Sequence, residues 1–163
     1  MTYGGIEGLT APQRLAQPTR VFDWAGSEFV EVTDQVLPEV TPGNSRGAAR
    51  GDINGDGWAD VVVRNMMGPV ELYTRGCDLG RVTVELDDTR SRGNRFGVGA
   101  RVAVDGLWST VTAGGLGTYS GSTPTQFFAT GDASQVTVSV VWPDGEESTY
   151  TNVPTDQAIV VSR

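Results

Sequence analysis

Apolar and polar residues alternate in short runs along most of this chain, and no long stretch of helix formers interrupts them. The clearest run is Arg81 to Asp87. Val82, Val84 and Leu86 fall on one face and Thr83, Glu85 and Asp87 on the other, the two-residue period of a half-buried strand. Val102 and Val104 repeat the pattern, and Ser109 to Thr112, Gln126 to Phe128, Gln135 to Trp142 and Ala158 to Val161 read as further strands. Turn signals lie between them at Asp105-Gly106, Gly114-Gly115, Gly131-Asp132 and Pro143-Asp144-Gly145. Roughly five or six strands at such spacing predict a small antiparallel sandwich or barrel over residues 80–163.

The first half is patterned differently. Residues 1–18 are rich in Gly, Pro and Gln and read as a loop or linker. Thr19 to Trp24 and Glu28 to Thr33 form a predicted hairpin, with aromatic and β-branched residues on either side of a short glycine turn. Asp34 to Gly47, with Pro38, Pro42 and Gly43, reads as a loop. The apolar run Val61-Val62-Val63 predicts a strand buried on both faces, and Val70 to Thr74 adds another after the Gly68-Pro69 break. Residues 19–79 thus make a four-strand unit of about the size of one propeller blade. A single blade has no neighbour to cover its faces.

Between these strands lies Asp52-Ile53-Asn54-Gly55-Asp56-Gly57-Trp58-Ala59-Asp60, with oxygen-bearing side chains at positions 1, 3, 5 and 9 and glycine at 6. Ca²⁺ takes six to eight oxygens, and a chain supplies them locally only by turning sharply, which glycine permits by reaching positive φ. Asp52, Asn54, Asp56 and Asp60 would offer side chains and Trp58 its main-chain carbonyl. An EF-hand is excluded. Its twelfth position is Val63 where a bidentate Glu is needed, and the flank is β-rich where a helix should leave. The rival reading is a plain turn built on Asn54-Gly55 and Asp56-Gly57. A turn alone has no use for three carboxylates within nine residues, whose mutual repulsion a dication removes.

Composition narrows the chemistry further. With 163 residues and 38% hydrophobic content the chain can bury a core of one domain or two small ones, and 22 Gly with 8 Pro fit many strands and tight turns. The formal net charge of −8 opposes nucleic acid and anionic membranes and favours cations or basic partners. Every basic side chain is Arg, and histidine is absent, which removes Ser-His and Cys-His relays and histidine-ligated zinc. Cys77 is the one cysteine and reads as a small packed residue. No apolar stretch is long enough for a bilayer, and Met1-Thr2-Tyr3-Gly4-Gly5 lacks the basic-then-apolar opening of a signal peptide.

Residues 80–163 resemble the ASPIC/UnbV domain. The likeness rests on Asn94-Arg95-Phe96-Gly97-Val98-Gly99-Ala100-Arg101-Val102, then Gly117-Thr118-Tyr119-Ser120, then Val141-Trp142-Pro143-Asp144-Gly145, closing with Val153-Pro154 and Gln157. The segment from Asn44 to Val63 is similar to an FG-GAP/VCBS propeller blade. In proteins resembling cartilage acidic protein such blades come in series and the ASPIC/UnbV domain closes the chain. The resemblance therefore implies an all-β architecture, one β-propeller-type blade followed by a small antiparallel β-sandwich or barrel domain. It also implies that further blades precede this segment in a parent protein placed outside the cell or in the periplasm. One departure stands out: family members usually carry His-Phe-Gly-Leu-Gly where this chain has Phe127-Phe128-Ala129-Thr130-Gly131, so any role of that histidine is absent.

Other motifs have plainer readings. Gly97-Val98-Gly99-Ala100 lacks the Lys and the helix of a phosphate loop. Trp142-Pro143-Asp144-Gly145 reads as a strand end with an indole anchored in the core, a sugar-stacking tryptophan being the alternative. Arg95 and Arg101 either pair with Asp87 or Asp88 or stay solvated. The pairs Asp87-Asp88 and Glu146-Glu147 read as solvated surface acids, since adjacent strand residues point to opposite faces and cannot serve as the acid and base of a glycosidase. The expectation is a calcium-binding, non-catalytic recognition or adhesion module meeting a protein or glycan partner. The alternative is an enzyme or accessory protein of enediyne-type natural-product biosynthesis, which the UnbV name implies.

Overall fold

The computed structural model describes residues 16–163 apart from 38, 41, 67, 75, 77 and 115–119. Cys77 and the Gly117 to Tyr119 part of the second ASPIC/UnbV-like motif lie outside the described residues. The described chain is nearly all β, as its alternation predicts, and no barrel closes. It divides into two compact units: the residues up to Gly47 with Val63–Glu71, and Ala48–Val62 with Leu72–Arg163.

In the first unit, β1 (Phe22–Trp24) and β2 (Phe29–Glu31) pair antiparallel as a two-stranded sheet of their own, with Phe22 opposite Glu31 and Trp24 opposite Phe29. Gly26 at φ +91° turns the hairpin, a conformation open to glycine at little cost. The expected loop at Asp34 to Gly47 is corrected: a short helix α1 (Thr33–Val36) opens it, and β3 (Ser45–Gly51) begins inside it. β3 consists of small residues and arginines with no large apolar side chain to mark it, although its residues alternate in burial.

β4 (Asp60–Asn65) and β5 (Glu71–Tyr73) follow, and with β3 and the later β9 (Gly121–Ser122) they form a sheet in the order β5-β4-β3-β9. The predicted hairpin therefore forms, but it does not join the sheet that carries the Asp-rich loop. Val61-Val62-Val63 is not buried on both faces either. Val63 is buried, Val62 half-buried and Val61 exposed, and the fully buried end residue of β4 is the carboxylate of Asp60.

The second unit is built on a sandwich. One sheet has the order β10-β6-β13, from β6 (Gly80–Asp87), β10 (Gln126–Gly131) and β13 (Gln157–Ser162). The other has the order β12-β11-β7-β8, from β7 (Arg101–Val104), β8 (Leu107–Thr110), β11 (Gln135–Val141) and β12 (Glu147–Pro154). Val82, Val84 and Leu86 of the first sheet meet Val102, Val104, Val136, Val138 and Val140 of the second in one buried cluster with Phe128 and Trp142. Burying each such valine contributes about 1.5–3 kcal/mol before the entropy of ordering it is counted.

The pairs β1–β2, β6–β10, β7–β8, β7–β11 and β11–β12 are antiparallel, whereas β13 runs parallel to β6, with Ile159 beside Val84, and β9 runs parallel to β3. Asp105-Gly106 makes the expected two-residue hairpin turn between β7 and β8, both residues at positive φ. Gly97 also has positive φ, and a Cβ there would lie 2.7 Å from Leu86 Cδ1. The Gly97-Val98-Gly99-Ala100 run is thus a turn pressed onto the core.

Candidate functional site

The loop between β3 and β4 folds by giving its side-chain oxygens to its own backbone. Asp52 Oδ1 accepts from the N–H groups of Gly55 (2.7 Å) and Asp56 (3.1 Å), and its Oδ2 accepts from Gly57 N–H (2.8 Å). Asn54 Oδ1 accepts from Asp56 N–H, Asn54 Nδ2 donates to Asp56 Oδ2 at 2.9 Å, and Asp56 Oδ1 accepts from Trp58 N–H at 2.8 Å. Gly55 and Gly57 sit at φ +78° and +81°, where side chains are strained, which lets the amides turn inward. Four of the five sequence-predicted ligands are thereby bound into one hydrogen-bonded loop: Asp52, Asn54 and Asp56 accept within it, and Trp58 takes part through its N–H.

Asp60, the fifth, sits differently. Its Oδ2 accepts from Ile53 N–H at 2.7 Å and Asn54 N–H at 3.4 Å, closing the loop from its far end. The residue is fully buried, and its Oδ1 has no hydrogen-bond partner among the described residues. A buried acceptor left unmatched costs about 1–3 kcal/mol, and more for an ionised group, so a structure retains one where something else satisfies it. A hard cation does so through oxygen, and a carboxylate oxygen that accepts one N–H keeps a lone pair for a metal. The donor set thus fits such an ion in its chemistry. Even so, among the described residues no group of three or more Asp, Glu, His or Cys side chains converges as a ready-made metal cluster.

The loop is fastened to the sandwich. Thr83 lies on the polar face of β6 yet is buried, because its Oγ1 donates to the Gly57 carbonyl at 3.2 Å. Gly57 is needed here twice over, since the Arg81 guanidinium fills the space that a Cβ would take.

Elsewhere the acids work in ion pairs. Arg95 holds Asp87 through two bonds, 2.6 Å from Nε and 3.1 Å from Nη2. Arg101 lies instead over the exposed Trp108 ring, 5.0 Å from its centroid. The solvated reading of Asp87-Asp88 is corrected at Asp88, which is buried and receives a 2.6 Å bond from Arg163. Hydrogen bonds from Arg95 and Arg163 hold the carboxyls of Asp87 and Asp88 below the usual carboxylate range, against an opposing desolvation. Arg163 lowers Asp144 in the same way and bonds Glu146 as well. Its guanidinium rests 4.4 Å from the Trp142 ring centroid, while the buried indole donates to Ser148 Oγ at 3.0 Å. Trp142 is thus an anchor of the core. Trp108, which sequence reasoning passed over, is the exposed indole of this unit, and only its place on an outward sheet face distinguishes it.

Residues 90–163 match the family described as ASPIC and UnbV, and residues 45–84 match the FG-GAP repeat. The chain carries the domain content that its motifs resemble, and the Asp-rich loop lies inside the FG-GAP match. The comparison with curated proteins finds no match. No helix among the described residues is long and apolar enough to cross a membrane.

Proposed function

We propose that this chain is a calcium-binding, non-catalytic recognition or adhesion module of an extracellular protein. In this reading Asp52, Asn54, Asp56 and Asp60 ligate one Ca²⁺ through side-chain oxygens and Trp58 through its carbonyl. The ion stiffens the loop, and the β surface beside it meets a protein or glycan partner. The observation that carries the reading is Asp60, a fully buried carboxylate with one oxygen that none of the described residues satisfies.

Two further points support it. FG-GAP repeats generally bind calcium and typically lie outside the cell. The acids whose pKa values shift, Asp87, Asp88 and Asp144, are lowered by arginine partners, as structural ion pairs are, whereas a general acid needs its value raised.

Calorimetric titration of Ca²⁺ into wild type and Asp56→Ala tests the metal site. Wild type binds about one ion with a dissociation constant of roughly 10⁻⁵ to 10⁻³ M, and the variant binds at least about tenfold more weakly. Equal heats from both proteins, or none from wild type, overturn the proposal.

A further inference from the structure

Beside the loop the second unit holds a cleft of about 440 Å³, within the range of about 300–1,000 Å³ typical of small-molecule sites. Its floor is the outward face of the β10-β6-β13 sheet, with Thr83 and Glu85 from β6 and Phe127 from β10, and its walls include Gly57 of the loop and Gln157 of β13. We propose that this cleft binds a neutral saccharide, an assignment that rests on the recognition reading above and names its ligand class.

The chemistry of the walls selects that class. Thr123 and Thr125 share a 2.8 Å hydrogen bond, and Thr125 Oγ1 donates to Glu85 Oε1 at 3.0 Å, so Thr123 donates to Thr125 in a fixed relay. Thr125 is itself more than nine-tenths buried. The relay aims Glu85 and leaves its second carboxylate oxygen for a ligand hydroxyl. Gln157 Nε2 donates to the Pro154 carbonyl at 2.9 Å, which orients its amide oxygen as a second acceptor. Phe127 is half-buried and offers an aromatic surface of the kind that packs against the C–H face of a sugar ring.

Charged ligands fit less well. Of the three acids in the lining, Asp52 is turned into its own loop and Asp156 faces Arg81 at 3.6 Å, so a basic side chain finds Glu85 alone open to it and meets Arg81 as well. An anionic ligand meets Glu85, Asp52 and Asp156. A saccharide hydroxyl both donates and accepts, and needs no net charge from its site.

The cleft shares a wall with the loop. Thr83 holds the Gly57 carbonyl, and Arg81 packs where a Gly57 side chain would be. An ion that stiffens the loop therefore preorganises the cleft and raises saccharide affinity.

Amide chemical-shift titrations test this with N,N′,N″-triacetylchitotriose, cellotriose and maltotriose as neutral probes and a tri-arginine peptide as the rival. At least one trisaccharide is expected to shift the amides of Thr83, Glu85, Phe127 and Gln157. Glu85→Gln and Phe127→Leu, each checked for folding by circular dichroism, weaken that binding about tenfold. Trp108→Ala, on another face, leaves it unchanged. The proposal falls if no neutral trisaccharide shifts these amides, if only tri-arginine does, or if both variants bind like wild type. A calcium titration on the same samples separates the two readings. Saccharide shifts at the cleft without calcium heats uphold the cleft and refute the metal, and calcium heats without saccharide shifts do the reverse.

Discussion

Replacing Asp60 by asparagine has opposite consequences with and without calcium, and the sign of each follows from the two carboxylate oxygens. Asparagine keeps one oxygen at the position of Oδ2, where it still accepts from Ile53 and Asn54. At the position of Oδ1 it replaces a carboxylate oxygen without a partner among the described residues with a neutral amide group. Without metal, that change removes a buried carboxylate oxygen that the described residues leave unmatched, so stability holds or rises by up to about 1 kcal/mol. With calcium, wild type gains about 2.7 kcal/mol at a free ion concentration of 100 times the dissociation constant, whereas the variant has lost its one fully buried ligand. In a chain of this size that gain raises the melting temperature by roughly 5–10 °C. Thermal melts of both proteins in a calcium chelator and in excess calcium read all four states. The reasoning is refuted if calcium moves both melting temperatures equally. It is also refuted if the asparagine variant is more than about 3 kcal/mol less stable than wild type in chelator, since that would show the protein alone satisfying the charge.

Three further outcomes are expected. Gly97→Ala places a Cβ 2.7 Å from Leu86 Cδ1 at φ +62°, and chemical denaturation should show a loss of about 2 kcal/mol or more. Trp142→Phe removes the indole N–H bond to Ser148 and leaves a gap in the core, lowering stability by about 1–3 kcal/mol in the same assay. Asp88 and Asp144 titrate below their ordinary 3.8 when folded, because Arg163 bonds them, so the folded chain binds fewer protons than the unfolded one. Their contribution is complete above 3.8 and is lost as the pH falls through the lowered values. Arg163→Gln should therefore lower stability at neutral pH and flatten the acid limb of a stability-against-pH curve.

The sandwich strands were legible where buried apolar residues alternate with polar or less buried ones, as in β6 and β11, since that contrast in residue type is what alternation records. β12 escaped notice because only Ser148 and Val153 turn inward and the rest of the strand is exposed, so its sequence carries little contrast. β3 escaped because its small residues have no large apolar partner. Contacts between distant residues left no local trace at all: Asp88 and Arg163 meet across 75 positions, and their burial reverses the surface role that adjacent acids suggest. The loop shows the same limit in its sharpest form. Spacing picked out Asp52, Asn54, Asp56, Trp58 and Asp60 together, but it could not rank them, because a polar turn and a metal loop draw on the same residue types. Burial ranks them. Asp52, Asn54 and Asp56 fold the loop with bonds that a turn would also make, while Asp60 keeps a buried oxygen that a turn has no reason to leave bare. The difference between the two readings therefore rests on one carboxylate, placed by the first residue of β4 rather than by the loop itself.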